Sequence, residues 1–196
     1  MLFTPKDFGP GILDLEGISK KTVEEHLKLY NAYVNKSNEV MEKLAKVDLS
    51  TANQVFSDAR ALKVELSFAV GGMQNHEIYF SHLKRGGGEP KGELKKQIEK
   101  DFGSYEAFVK DLKASGLAGR GWAWTVWFPA ASRLVNWVGD SQNTYLSWDL
   151  HPMLALDVYE HAYFLDYSVN RGAYIDAFVK NLDWDKIGAN YDKARK

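Results

Sequence analysis

The stretch ALDVYEHAYF, residues 155–164, sets Asp157 four positions ahead of His161, with Glu160 between them and apolar or aromatic side chains around them. A carboxylate or imidazole among such neighbours costs on the order of several kcal/mol unless something pairs with it. Both groups are also metal-competent, one through oxygen and the other through nitrogen. The remaining histidines are His26, His76, His82 and His151. His26 shares a helical stripe with Tyr30 and Tyr33, four and seven residues on, and so faces an apolar seam. His76 lies one turn after Gly72, flanked by Asn75, Tyr79 and Phe80. His82 and His151 stand beside linker-like or loop-like sequence and read as ordinary surface or hydrogen-bonded histidines. Gathered on one divalent or trivalent ion, His26, His76, Asp157 and His161 would satisfy one another. Nitrogen and oxygen donors without thiolate suit manganese or iron and also admit zinc. Three histidines and one aspartate with an open position for solvent fit catalysis better than a closed structural site. Spacing alone leaves their convergence open, and the bland reading of each histidine stands beside the metal one.

Composition narrows the chemistry. The 196 residues contain no cysteine, which excludes disulfides, thiolate catalysis, zinc ribbons and iron–sulfur clusters. A hydrophobic share of 45% with six tryptophans describes a globular chain able to bury a core. The formal charge of −1 lacks the basic excess of a nucleic-acid binder. No apolar run reaches membrane-spanning length, and MLFTPKDFGPGI lacks the features of a signal peptide, so no membrane partner and a cytoplasmic location are expected.

The elements that must carry these residues follow from periodicity. In TVEEHLKLYNAYVNKSNEVMEKLAKV, Thr22 and Glu25 have capping-box spacing, so a first long helix is expected to begin there. Val23, Tyr30, Val34 and Met41 form its apolar stripe. After the turn DLST, a second long helical segment runs through NQVFSDARALKVELSFAVGGMQNHEIYFSHL, and the two make a hairpin. Gly71 and Gly72 interrupt it, each at about 1 kcal/mol against alanine, which implies a packing or functional reason. KRGGGEPKG reads as a linker, so residues 1–85 form a helical hairpin domain and residues 86–196 a second, α/β domain. GELKKQIEKDFG and SYEAFVKDLKASG are shorter helices. The period then switches: GWAWTVWF alternates as a strand with two unlike faces, SRLVNWVGD is a second strand and PMLALDV a buried third. From about Tyr159 the tail returns to helix through YIDAFVKNLDW. The fold class is α+β.

Five motifs in order, TVEEHLKLYNAYV, GGMQNHEIYF, GGGEPKGEL, GRGWAWTVW and LDVYEHAYFLDY, resemble those of the iron/manganese superoxide dismutases from end to end. The last is the most specific, since members carry Asp-Val-Trp-Glu-His-Ala-Tyr there. The resemblance implies an N-terminal helical hairpin followed by an α/β domain with a three-stranded antiparallel sheet. It implies dismutation of superoxide to dioxygen and hydrogen peroxide by redox cycling of one manganese or iron ion per subunit. The implied ligands are His26, His76, Asp157 and His161, with a water or hydroxide as the fifth.

Further roles also come from the resemblance. Gln142 matches the glutamine that reaches the bound solvent in manganese-type members, whereas many iron-type members supply it from the position of Gly72. This leans toward the manganese-type arrangement, with Gly72 leaving room for an amide arriving from elsewhere, although either ion could be loaded. Tyr33 matches the tyrosine at the mouth of the pocket that assists proton supply. Trp122 and Trp124 match an aromatic wall, and Tyr163 and Arg171 match residues near the entrance or the dimer contact. Glu160 matches a glutamate that bonds the last ligand histidine of the partner subunit, so a homodimer is expected. Three departures accompany the match. Leu29 and Tyr30 occupy the neighbourhood of a missing histidine, and Tyr159 replaces a tryptophan. The gap from His26 to Tyr33 is seven residues where eight is usual, which predicts a regular α-helix without a π-bulge. Gln74, two positions from His76, should point elsewhere. Two other readings remain: a mononuclear non-haem iron oxygenase, which needs only two histidines and one carboxylate, and a non-catalytic metal-binding member of the same fold.

Overall fold

Short polar side chains set where the helices begin. In the computed structural model, which describes residues 2–144 and 147–195, α1 (Lys20–Leu44) follows Ser19, whose hydroxyl accepts the Thr22 N–H. The second helix, α2 (Asp58–Ser81), follows Ser57, whose hydroxyl accepts the Arg60 N–H. Each such cap satisfies a donor that the helix itself leaves open. Both starts differ from the sequence expectation. Thr22 is buried inside the first turn instead of capping it. Residues 53–57 stay out of α2 because the Asn53 side chain accepts the Val55 N–H at 2.8 Å, a local turn that competes with helix.

The two helices pair as a hairpin along the expected seam. Val23, His26, Tyr30 and Val34 of α1 are buried, and Met41 is half-buried. Opposite them α2 buries Ala69, Gly71, Gly72, Met73, His76, Tyr79 and Phe80. Two short helices follow, α3 (Gly92–Phe102) and α4 (Tyr105–Ala118), separated by Gly103 at φ 89° and the Ser104 cap. Glycine is the residue that adopts that left-handed backbone without strain.

The sheet is three-stranded and antiparallel in the order β2-β1-β3, with β1 Trp122–Phe128, β2 Arg133–Gly139 and β3 His151–Asp157. The alternation read in β1 is real in sequence, but both of its faces are buried because it is the central strand and carries helices on each side. Alternation along β3 shows the two layers. Leu156 lies over Gly116 of α4, where a Cβ would come within 2.7 Å of its methyl. Asp157, the next residue, therefore points to the opposite face, toward α2. The register sets Trp122 against Asp157 across the β1–β3 pair.

The helical tail consists of three helices: α5 (Phe164–Tyr167), α6 (Arg171–Lys180) and α7 (Trp184–Ala194). The break between α6 and α7 falls where the side-chain amide of buried Asn181 accepts the Glu16 N–H and donates to the Glu16 carbonyl, and Lys84 N–H donates to the Asn181 carbonyl at 2.7 Å. Those contacts tie the tail to the end of α2. Among the described residues no helix is long and apolar enough to cross a membrane.

Candidate metal centre

Four side chains from three segments converge behind the hairpin. His26 comes from α1, His76 from α2, Asp157 from the end of β3, and His161 from the turn Glu160–Ala162 that follows it. The Asp157 Oδ2 atom lies 3.1 Å from His26 Nε2, 3.0 Å from His161 Nε2 and 3.5 Å from His76 Nε2. One ligand atom from each residue lies within 4.8 Å of all the others. His26, His76 and Asp157 are buried, while the His161 side chain keeps 30% of its surface.

Orientation is fixed by backbone groups. His76 Nδ1–H donates to the Gly72 carbonyl at 2.6 Å, one turn earlier, which leaves the lone pair on Nε2. That buried Nε2 has no hydrogen-bond partner and faces a carboxylate oxygen. Two acceptors so placed repel unless a cation stands between them. The Tyr159 N–H holds the other carboxylate oxygen, Oδ1, at 2.9 Å, and the Tyr174 hydroxyl holds the Asp157 carbonyl at 2.9 Å. Oδ2 is thus left to the imidazoles.

The charges follow the same division. Burial, assisted by neighbouring His26, pushes the His76 imidazole down to about 3, and burial also lowers His26. Burial opposes ionisation of Asp157, but His161 and His26 outweigh it and hold the carboxyl low. Burial likewise opposes charge on His161, yet the carboxylate beside it raises its pKa above the usual imidazole value. A carboxylate and three nitrogen donors in a site of this dryness fit an iron or manganese ion.

Comparison with known proteins agrees with the geometry. Residues 13–84 match the family description "Iron/manganese superoxide dismutases, alpha-hairpin domain", and residues 90–190 match its C-terminal domain. The chain belongs to the iron/manganese superoxide dismutases. A relative from Aquifex aeolicus named as an iron superoxide dismutase is 45% identical over 93% of this chain and 88% of its own length. A manganese-named superoxide dismutase from Halobacterium salinarum is 38% identical over 89% and 87%. An iron-named one from Cupriavidus metallidurans is 37% identical over 99% and 98%.

Against this superoxide dismutase fold the other sequence-derived residues take definite positions. Gln142 is buried, and its Oε1 accepts the Trp122 indole N–H at 3.0 Å. An indole only donates, so the amide nitrogen faces Tyr33, whose hydroxyl it reaches at 3.3 Å. The sequence suggested that Gly72 leaves room for that amide; the side chain lying against Gly72 is that of Tyr33. A Cβ there would meet the Tyr33 ring at 2.7 Å, and it is at Gly71 that Gln142 approaches, with its carbonyl 2.1 Å from a built Cβ. The seven-residue spacing in an unbroken α1 lays the Tyr33 ring directly on Gly72 and beside His76, at 5.4 Å between centroids. Burial raises the Tyr33 phenol pKa.

Trp122 presents its ring to His76 at 5.2 Å, whereas Trp124 stacks behind Trp122 at 6.2 Å as a second layer. Tyr163 is buried and accepts from Arg171 Nε at 3.2 Å, and Glu160 is exposed. Gln74 points outward, as expected. His151 opens β3 half-exposed, but His82 is no surface residue: it is fully buried and accepts the Ala155 N–H at 3.0 Å. The backbone partners were not identified from sequence. The Gly72 carbonyl had a local signal in its four-residue offset from His76, and the Tyr159 N–H in the turn that an aspartate makes two residues on. The Tyr174 contact had none.

Proposed function

We propose that this chain disproportionates superoxide, two superoxide ions and two protons giving one dioxygen and one hydrogen peroxide. His26, His76, Asp157 and His161 hold one manganese or iron ion. The observation that carries this reading is the buried, unpartnered His76 Nε2 turned toward the same carboxylate oxygen that His26 and His161 approach. An ion held by these four residues would supply the one-electron redox chemistry that dismutation needs.

The chain's own residues do the rest. The Gly72 carbonyl and the Tyr159 N–H fix the His76 tautomer and the Asp157 rotamer, so the donors need no reorganisation when charge changes. Gln142 is held between Trp122 and Tyr33 and hands an oriented amide hydrogen to the Tyr33 oxygen. The Tyr33 hydroxyl hydrogen is then free to face substrate or solvent, and the raised pKa keeps that proton in place at neutral pH. Tyr33 and Gln142 are accordingly the proton-handling pair. The amide coming from the sheet side, with Gly72 covered by Tyr33, favours the manganese-type arrangement, although the same donors accommodate iron. The exposed Glu160 beside partly exposed His161 suits a homodimer in which each subunit supports the other's histidine, and the two domains are taken to meet at residues 85 and 86.

The test is to reconstitute the protein separately with manganese and with iron, measure superoxide removal, and determine bound metal by elemental analysis. His76→Ala and Asp157→Ala should each lose activity and reduce bound metal by on the order of tenfold or more. Retention of both properties in either variant removes that residue from the ligand set. Bound metal without turnover in the unmodified protein would instead favour a non-catalytic member.

A further inference from the structure

In the sheet order β2-β1-β3, strand β3 is paired on one side only. An open strand edge leaves backbone groups that need other partners. Val158 N–H donates to the Gly121 carbonyl at 2.9 Å, on the β1 side. In a trans peptide the N–H and the carbonyl point opposite ways, so the Asp157 carbonyl of the same unit points out from the edge. Three groups on that edge take their partners from three different helices. Asn190 of α7 donates to the Met153 carbonyl at 3.2 Å, and His82 at the end of α2 accepts the Ala155 N–H at 3.0 Å. Tyr174 of α6 donates to the Asp157 carbonyl at 2.9 Å. Of the three contacts, only the last falls on a residue of the candidate metal centre.

We infer that Tyr174 is a positioning residue for the metal centre, its hydroxyl fixing the peptide plane from which the Asp157 carboxylate and the turn to His161 are hung. The inference rests on the metal reading above. The peptide unit joining Asp157 to Val158 is gripped at both ends, its N–H by Gly121 and its carbonyl by Tyr174. The Tyr159 N–H, which holds Asp157 Oδ1 at 2.9 Å, lies one peptide further on, and His161 follows two residues later. A tilt of the gripped plane changes the backbone angles on either side of it. It therefore carries the Tyr159 N–H, the carboxylate and His161 together. Tyr174 is itself held. A carbonyl only accepts, so the single phenol proton of Tyr174 goes to Asp157, and the Tyr79 hydroxyl 3.2 Å away is left to donate to the Tyr174 oxygen. Both phenols are buried. Tyr174 stacks on Tyr163 with centroids 5.1 Å apart, and the Tyr79 ring lies 5.0 Å from that of His26. Hydrogen bonds in series polarise one another, so Tyr79 strengthens the grip of Tyr174.

The experiment compares Tyr174→Phe, Tyr79→Phe and Asn190→Ala in metal-loaded protein. The measurements are the rate of metal loss to EDTA, visible absorption of the oxidised ion, midpoint potential and thermal midpoint. Tyr174→Phe keeps the ring stack and removes only the hydroxyl. It should shift potential and spectrum and speed metal loss on the order of tenfold. Tyr79→Phe leaves the Asp157 carbonyl bonded and should shift potential and spectrum in the same direction by less. Asn190→Ala frees another carbonyl of the same edge, four residues before Asp157. It should lower the thermal midpoint while potential and spectrum stay as in the wild type, as a contact that only supports the fold would do. The inference is overturned if Tyr174→Phe keeps the wild-type potential and spectrum, or if Asn190→Ala shifts them as far as Tyr174→Phe does. Should Tyr174→Phe not fold, Tyr79→Phe decides, and wild-type potential and spectrum there overturn the inference. Failure of the unmodified protein to take up either ion is seen before any variant is made, and it overturns the metal reading and this inference with it.

Discussion

At the residue scale the centre is a problem of too many acceptors. Asp157 Oδ2 faces three ring nitrogens, and of the three imidazoles only that of His161 has its pKa raised by its surroundings. A metal ion removes the conflict at His76, where the Gly72 carbonyl has already claimed the only proton. Gln142 belongs to a different layer, bonded to Trp122 and Tyr33 and not to any of the four donors. Gln142→Ala should therefore leave metal content near one ion per chain while lowering turnover on the order of ten- to a hundredfold and shifting the spectrum. Unchanged rate and spectrum would remove Gln142 from proton handling. Gly72 gives a sharper test. Moving the glutamine to the iron-type position, Gly72→Gln with Gln142→Ala, should not restore turnover, because the new side chain meets the Tyr33 ring where a Cβ already lies at 2.7 Å. Recovered activity would show that Tyr33 can yield.

At the element scale, helix geometry decides which side chains share a face. In α1, seven residues are close to two turns, so Tyr33 returns to the face of His26 without an irregular turn. Tyr30, four residues from His26, is turned to other work. It accepts the Lys6 N–H at 2.9 Å and donates to Glu77 at 3.2 Å, fastening the N-terminal strand of chain over the hairpin. At the C-terminal end of α2, His82 joins hairpin to sheet through Ala155. Burial pushes its pKa down from 6.5 to about 4, so the fold holds it neutral. The unfolded chain then binds the extra proton first as pH falls. The stability from this group is fully present above 6.5 and disappears as pH drops toward 4. The span corresponds to roughly 3 kcal/mol. His82→Gln keeps an acceptor for Ala155 but cannot titrate. Its denaturation midpoint should fall less steeply than the wild type's between those values, and parallel curves would refute the assignment.

At the scale of the whole molecule the centre lies where hairpin, sheet and tail meet, with His161 its one partly exposed donor. Phe164, Leu165 and Val169, which follow His161 in the chain, are exposed by 47%, 55% and 81%. The homodimer reading predicts that Glu160→Ala shifts the sedimentation profile toward monomer and weakens metal retention at low protein concentration. A dimer equally stable without Glu160 would locate the contact elsewhere.

Much of this was legible in the chain itself. Period and cap chemistry are local, so the long hairpin, the two short helices and the three strands could be read directly, and five ordered motifs carried the family and the four donors. Local signals also misled where two of them competed. Thr22 with Glu25 resembled a helix start three residues late, and the Asn53 turn delayed α2. What Gly71 and Gly72 make room for and the depth of His82 both depend on which distant segment arrives at a given surface. Composition and spacing settle the donors a chain possesses and the face each one shares. Close approach between remote backbones is fixed only when the helices and sheet dock, because it arises from the joint volume of groups that no short stretch of sequence contains.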